Sequence, residues 1–168
     1  MSNIYWSADT HIGHQSILKF MPNRPYASEE NIQAHDESII NLWQTTVGNH
    51  DGAIKAHSNY FRKIAQVMEI TIKPSMYEVL SEELQIVLCH YSLLDWPDKQ
   101  QGSVMLHGHC HGTMDDFNAS SADLRFDIGI DEILAKQAGG FIDIKTLYEA
   151  ILKKTGGLTP QQYANEKY

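Results

Sequence analysis

The sequence has few of the features that would place it in a specialised class of protein. Cys89 and Cys110 are its only cysteines, so no disulfide framework is expected, and we interpret both as small buried thiols. No run of lysine or arginine occurs and the formal net charge is −8. Binding to a long nucleic-acid duplex, which needs a basic surface for the phosphates, is therefore not expected.

Signals for export and for membrane anchoring are also lacking. Residues Met1–Asn3 carry no basic side chain and run directly into the apolar stretch Ile4–Trp6. No apolar stretch is long enough to cross a bilayer, so we expect a cytoplasmic protein with no membrane partner. The chain has 168 residues, 42% of them hydrophobic, which suffices for one domain with a substantial core. We predict a single domain over residues 1–155 and a polar C-terminal tail over residues 156–168.

Histidine, by contrast, is abundant, with nine residues. Three of the nine lie in the stretch His107–His111, which is interrupted by Gly108 and followed by Gly112. Val104–Leu106 has the composition of a buried strand, so the histidines are predicted on the loop that follows it. Neutral imidazole is the commonest protein ligand for transition metals. The alternative for this stretch taken alone is a histidine-rich turn that binds nothing.

The same local pattern, an apolar strand followed by polar residues, occurs at three other places. One apolar run leads into Asp9 and His11, which lie on the same side of an extended backbone. Another leads into Asn49 and His50, and a third ends at His90. A capping aspartate, an Asn turn or a core histidine would explain each place singly. Four such strand ends together favour one metal site with mixed nitrogen and oxygen ligands.

The remaining segments predict an α/β protein. Helices are predicted after a cap at Ser28, over residues 57–65 and over residues 144–154, the last with Leu147, Ile151 and Leu152 inward. Strands are predicted over residues 3–8, 45–47, 68–73, 76–80, 84–91, 104–106 and 124–130, with 76–80 and 84–91 forming a hairpin. Residues 115–123 are predicted to be a polar loop, and Asp127 and Asp131 to be caps or supports for metal ligands.

These motifs, taken in order, resemble those of the calcineurin-like metallophosphoesterases. The matching stretches are Asp9-Thr10-His11, Gly48-Asn49-His50-Asp51, the isolated His90, and Gly108-His109-Cys110-His111. The resemblance extends from about Ile4 to about Leu152. It is closest to the small bacterial and phage phosphoesterases, whose openings are similar to Ser7–His14, and Asp127–Asp131 is similar to the strand that follows their histidine cluster.

The resemblance implies a four-layer α/β/β/α sandwich with two metal ions at one edge. The implied ligands are, for the first metal, Asp9, His11 and His111, and, for the second, Asn49, His90 and His109. A metal-bound hydroxide would attack a small phosphodiester or phosphomonoester in line, and His50 would stabilise the transition state or protonate the leaving oxygen. The implied cofactors are one or two divalent ions, Mn²⁺ first, with iron, nickel or zinc as alternatives. His14 and His107 have no assigned role.

One motif of the family is absent: the Gly-Asp pair whose aspartate bridges the two metals. Trp43–Val47 runs directly into Gly48, and no Gly-Asp dipeptide occurs in the chain, so we predict that one strand–helix unit is missing. Two divalent ions about 4 Å apart repel by roughly 17 kcal/mol at an effective dielectric constant of about 20. Asp9 is the only carboxylate among the matched positions. We therefore expect one metal to bind weakly or not at all, unless Asp36, Asp51 or another carboxylate moves in, and hydrolysis to be impaired.

Several functions are compatible with this sequence. The first is a metal-dependent phosphoesterase acting on a small phosphorylated substrate. The second is a catalytically degenerate relative that keeps the fold and serves as a binding or assembly module. A homo-oligomer would fill the gap left by a missing strand. Two further hypotheses are an unrelated metal-binding or structural protein, and a chain from which an internal segment has been lost.

Overall fold

The computed structural model describes residues 5–22, 24, 26–28, 31–42, 65–131 and 142–168. Six strands and five α-helices lie in these segments. Asn49, His50 and Asp51 lie outside the described residues, as do the predicted strand 45–47 and nearly all of the predicted helix 57–65. The combination of a mixed sheet with helices confirms the predicted α/β class.

The larger sheet has four strands in the order β2-β3-β4-β5. Their bounds are Val67–Ile72 for β2, Leu84–Cys89 for β3, Val104–His107 for β4 and Arg125–Asp127 for β5. Strand β2 is antiparallel to β3, whereas β4 runs parallel to both of its neighbours. The two central strands carry continuous apolar runs because both of their faces are covered; Ile86, Val104 and Leu106 are at most 1% exposed.

The smaller sheet pairs β1 (Tyr5–Trp6) with β6 (Ile142–Asp143) in an antiparallel arrangement. A parallel bridge between Ala8 and Gly129 then joins the chain after β1 to the chain after β5. Strands β1, β3, β4 and β5 therefore run in the same direction. Their carboxyl ends meet at one edge, which is where open α/β sheets place ligands.

Five α-helices accompany the sheets in the described segments. Their bounds are Ile17–Phe20 for α1, Ile32–Leu42 for α2, Asp115–Ser120 for α3, Ile144–Thr155 for α4 and Pro160–Lys167 for α5. Asp143 caps α4 by accepting the Thr146 N–H at 2.8 Å. As predicted, α4 buries Leu147 and Ile151, while Leu152 is only partly buried against the same core.

No helix in the described segments combines the length and the apolar character needed to cross a membrane.

Three of the predicted elements are wrong in position or type. Residues 76–80 form no strand, because the chain turns at the 3-10 helix Pro74–Met76 and β3 pairs with β2 instead. Helix α2 begins at Ile32 rather than after Ser28, since Asn31 Oδ1 accepts the Ala34 N–H at 3.0 Å. The polar segment 115–123 contains α3, whose first turn holds the carboxylates that a helix N-terminus favours.

The polar C-terminal segment contains the helix α5. Thr159 and Gln162 form a reciprocal capping box at the start of α5, and Pro160 occupies the first turn. At the other end of the helix, the Lys167 ammonium donates to Asp123 Oδ1 at 2.8 Å. Lys99 lies 3.0 Å from the other oxygen of the same carboxylate. Asp123 therefore fastens α5 to the segment that precedes β5.

Replacement of Asp123 should weaken the fold in a pH-dependent manner. Burial alone would raise the pKa of Asp123, but hydrogen bonds from Lys167 and Lys99 outweigh it and place the pKa below the ordinary value of 3.8. Its contribution is therefore present above pH 3.8 and is lost as the pH falls through the lower folded-state pKa. Asp123→Asn should lower the free energy of unfolding at pH 7 by at most about 1 kcal/mol, because the pair is partly exposed. Urea unfolding of both proteins across this pH range tests it, and a difference independent of pH would contradict it.

Candidate metal centre

The loops after β1 and β4 bring together Asp9, His11 and His111, which we call the Asp9 group. One ligand atom from each of the three residues lies within 4.8 Å of the other two. Asp9 and His11 are buried and His111 is half-buried. One carboxylate and two imidazoles at this spacing can hold a divalent transition metal ion. The same three residues are the ones that the resemblance assigns to one metal.

Two further histidines lie beside the same carboxylate. His90 follows β3, and its Nδ1 is 3.7 Å from Asp9 Oδ1. The ring centroids of His90 and His109 are 5.1 Å apart, and the Tyr91 ring lies 4.7 Å from that of His109. His90 and His109 belong to the second implied ligand set, and its remaining member, Asn49, lies outside the described residues.

The carboxylate of Asp9 fits a bound cation. Asp9 is 2% exposed, and its Oδ2 accepts the His109 N–H at 2.6 Å. Its Oδ1 is buried and accepts no hydrogen bond from any described residue. Burial raises the pKa of Asp9, although the nearby His111 opposes this effect. A buried anionic oxygen without a donor is costly, and a divalent cation at this position would compensate its charge.

His11 is held in the protonation state that metals bind. Burial lowers its pKa to about 3, and the neighbouring charges of Arg24, His111 and His14 act in the same direction. The ring is therefore neutral at neutral pH, as a ligating imidazole must be. His14 Nδ1 lies 2.9 Å from His11 Nδ1, with the two rings stacked. The structure thus places His14 as a hydrogen-bond partner of a candidate ligand.

Left-handed backbone is concentrated at the candidate ligands. The φ angles are 55° at Asp9, 52° at His11, 68° at His109 and 47° at His111. Among the described residues, only Tyr26 and Asp98 also combine a side chain with a positive φ. Each such conformation costs about 1–2 kcal/mol for a residue with a Cβ. Strain that recurs at converging ligands favours a functional role for these loops.

Gly108 is required for the close approach of the histidine loop to Asp9. A Cβ at Gly108 would lie 2.5 Å from both Ala8 Cβ and Asp9 Oδ2. Gly108→Ala should therefore displace the Asp9 carboxylate, weaken Mn²⁺ binding and lower the free energy of unfolding by about 1–3 kcal/mol. Calorimetric titration and urea unfolding measure the two effects. Gly157→Ala is the control, because Gly157 also has a positive φ, of 97°, but a Cβ there would meet open space. This variant should bind Mn²⁺ as the parent does. Equal Mn²⁺ affinities of the Gly108 and Gly157 variants would contradict a steric role of Gly108 at the site.

A second group of three residues, His107, Cys110 and Asp127, also offers ligand atoms within 4.8 Å of one another. The polar side-chain atoms of His107 and Asp127 are already hydrogen-bonded within the protein. His107 Nε2 lies 3.2 Å from Asn118 Nδ2, and Asp127 accepts the N–H groups of Gly112 and Gly129. Burial raises the pKa of the Cys110 thiol, which disfavours the thiolate that a metal would bind. This group is better explained as a support for the histidine loop.

Two sequence predictions about these side chains need correction, those for Cys110 and Asp36. Cys89 is buried as predicted, but Cys110 is only half-buried and belongs to the second group. Asp36 does not join the Asp9 group, because its Oδ2 accepts the Gly13 N–H at 2.8 Å and its Oδ1 lies 2.8 Å from His35 Nδ1. Asp36 therefore supports the loop that carries His11 without supplying a ligand.

Arg24 is a residue that no sequence pattern indicated, since it lies in a turn with no predicted role. Its guanidinium is buried and contacts Asp131 Oδ1 at 2.7 Å. Asp131, predicted to be a cap or a support, accepts a hydrogen bond from His111 Nδ1 at 2.5 Å. Burial would raise the pKa of Asp131, but hydrogen bonds from His111 and Arg24 hold it below its ordinary value. The hydrogen bond to Asp131 in turn raises the pKa of His111.

Comparison with known proteins assigns this site to no family. No protein-family model, curated protein or solved structure matches the chain. Its function is therefore inferred from the residues and the geometry of the Asp9 group.

Proposed function

We propose that this protein is a metal-dependent phosphoesterase that hydrolyses a small phosphodiester or phosphomonoester. The observation that carries the proposal is the convergence of Asp9, His11 and His111 at the carboxyl edge of parallel strands. His90 and His109 lie beside the same carboxylate. The order of these residues along the chain is similar to that in calcineurin-like metallophosphoesterases. We further propose that the fold is their four-layer α/β/β/α sandwich with one strand–helix unit missing.

Each side chain of the site has a different role in the proposed hydrolysis. When bound, a divalent cation supplies Lewis-acid activation of a water nucleophile and charge compensation at the phosphoryl oxygens. Asp9 contributes negative charge to the cation, and His11 and His111 contribute nitrogen donors. His109, which is exposed at the edge of the cluster, would together with Asn49 and His90 hold a second cation, as the resemblance implies. His50 keeps the role that the resemblance implies, as a proton donor to the leaving oxygen or a stabiliser of the transition state.

The charge of the described ligands favours one tightly bound ion. Asp9 is the only carboxylate in the Asp9 group. The neighbouring carboxylate of Asp131 is engaged by Arg24 and His111 rather than placed among the ligands. A second divalent ion would meet the repulsion of the first with little additional negative charge to offset it. We expect one Mn²⁺ per chain at low metal concentration, and hydrolysis slower than in a site with a bridging aspartate.

The test is a metal count joined to an activity assay on the full chain. Protein treated with EDTA and reloaded with Mn²⁺ should hydrolyse bis-p-nitrophenyl phosphate or p-nitrophenyl phosphate, and a further addition of EDTA should abolish the activity. His109→Ala should lose the activity, whereas Asp123→Asn, outside the Asp9 group and bound to Lys99 and Lys167, should keep both the metal and the turnover. Absence of hydrolysis with manganese, iron, nickel and zinc would refute the proposal.

A second candidate function is a catalytically degenerate module that binds one metal and serves in assembly. The single carboxylate of the Asp9 group favours it, because dinuclear hydrolysis needs more negative charge around the ions. Stoichiometric Mn²⁺ binding without turnover on either substrate would support this candidate. Hydrolysis that disappears in His109→Ala would exclude it.

A further inference from the structure

We propose that Arg24 and Asp131 are positioning residues that assemble the Asp9 group before a metal ion binds. The inference rests on the proposed function only in requiring a cation site at this group. It concerns how two distant chain segments, one with Asp9 and His11 and one with His111, are brought into a single ligating arrangement.

Arg24 joins these two segments through one guanidinium. The side chain is 3% exposed. Its Nε and Nη2 donate to the two oxygens of Asp131 at 2.7 and 2.9 Å, a bidentate pair. The same guanidinium donates from Nη1 to the Thr10 carbonyl at 2.8 Å and from Nη2 to the Asp9 carbonyl at 2.5 Å. The backbone that carries Asp9 and His11 is thereby tied to the carboxylate of Asp131.

Asp131 transmits this connection to His111. Its Oδ2 lies 2.5 Å from His111 Nδ1. A carboxylate only accepts hydrogen bonds, so Nδ1 carries the proton and the neutral ring presents its lone pair at Nε2. Hydrogen bonds of this kind fix the tautomer and the ring orientation of metal-ligating histidines. Asp131 therefore selects the nitrogen that His111 can offer to a cation.

A second branch of the network returns to the same loop. Arg24 Nη1 lies 3.2 Å from His35 Nε2, and His35 Nδ1 lies 2.8 Å from Asp36 Oδ1. Asp36 Oδ2 then accepts the N–H of Gly13, two residues after His11. Hydrogen bonds that lead back to Arg24 thus hold both ends of the loop from Asp9 to Gly13.

The arrangement is better suited to positioning than to stability. Buried ion pairs contribute little net stability, because removing both charges from water offsets their attraction. Here the pair holds a loop in which Asp9 and His11 adopt the left-handed conformation, and it also holds His111, which does the same. Without such contacts the backbone strain would favour relaxation of the loop away from the ligating geometry. The network therefore stabilises the ligating arrangement of the loops more than it stabilises the fold as a whole.

The decisive variant replaces both charged groups by apolar side chains of similar size, Arg24→Met with Asp131→Leu. Such paired replacements commonly preserve folding, whereas loss of a residue that orients a metal ligand lowers metal affinity by about 10–100-fold. Titration calorimetry with Mn²⁺ should show a loss of that size in the double variant. Asp123→Asn is the matched control, since it also removes a carboxylate with two cationic partners, and it should bind Mn²⁺ as the parent does. Unchanged affinity in the double variant would overturn the proposal.

A second measurement does not depend on turnover. Nitrogen-15 NMR of the metal-free protein, at a pH where His111 is neutral, should find its proton on Nδ1 in the parent and mainly on Nε2 in the double variant. The same tautomer in both proteins would overturn the proposal. Mn²⁺ binding without hydrolysis in the parent would remove the proposed phosphoesterase activity and leave this inference intact. If the double variant does not fold, Arg24→Lys takes its place, because an ammonium cannot make the forked contacts of a guanidinium. Arg24→Lys should bind Mn²⁺ about tenfold more weakly than the parent. An Mn²⁺ affinity equal to that of the parent would overturn the proposal.

Discussion

Asp9→Asn is expected to lower Mn²⁺ affinity by more than about 100-fold and to abolish metal-dependent hydrolysis. Changing a residue that merely supports a ligand costs about 10–100-fold in affinity, and Asp9 is itself the candidate ligand. It is also the only carboxylate in the Asp9 group. Asparagine preserves the volume and can still accept the His109 N–H, so the change removes mainly the negative charge. Calorimetric titration and a phosphodiester assay measure the two losses.

The same substitution should change stability in opposite directions with and without metal. In EDTA, the parent holds a carboxyl group that is 2% exposed, whose Oδ1 accepts no hydrogen bond from a described residue and whose pKa is raised by burial. Neutral asparagine avoids that desolvation penalty, so the variant should unfold at a higher urea concentration than the parent. With Mn²⁺ at 100 times its dissociation constant, the parent gains about 2.7 kcal/mol and the order should reverse. Equal responses of the two proteins to Mn²⁺ would exclude Asp9 as a ligand.

The sequence was informative where the structure depends on local patterns. The apolar runs that became β3 and β4 are continuous because both faces of each strand are covered. The polar residues after them, His90 and His109, therefore had to emerge at one edge of the sheet. The capping box formed by Thr159 and Gln162 is an equally local pattern, and this spacing is typical of the start of a helix such as α5.

Local sequence patterns gave wrong or no predictions where contacts between distant segments determine the structure. Residues 76–80 are predicted to form a hairpin with residues 84–91, but Pro74 begins a 3-10 turn there and β3 takes β2 as its partner. The pair between Arg24 and Asp131 joins residues 107 positions apart, and no spacing rule connects an arginine in a turn with an aspartate after a strand. Candidate ligands could thus be found from the sequence, whereas the network that orients them could not.

Arg24→Met alone should lower the free energy of unfolding by about 3–5 kcal/mol, because removal of one partner leaves an uncompensated buried charge. Asp131 is 6% exposed and would lose both of its hydrogen bonds from Arg24. The carbonyls of Asp9 and Thr10 would lose their hydrogen bonds from Arg24 as well. Because domains are commonly stable by only about 5–15 kcal/mol, the single variant should be expressed well only at reduced temperature.

Addition of Asp131→Leu to this variant should restore most of the lost stability, since the second change removes the unpaired carboxylate. The comparison is a double-mutant cycle of urea unfolding at pH 7 in EDTA, with the two single variants and the pair. Near-additive losses would show that Arg24 and Asp131 act independently, and would contradict the contact on which the cycle is based. We expect the double variant to recover stability without recovering Mn²⁺ affinity. That result would separate two roles of Arg24 and Asp131. Their charges compensate each other within the fold, but only the charged side chains can place Asp9, His11 and His111 around a cation.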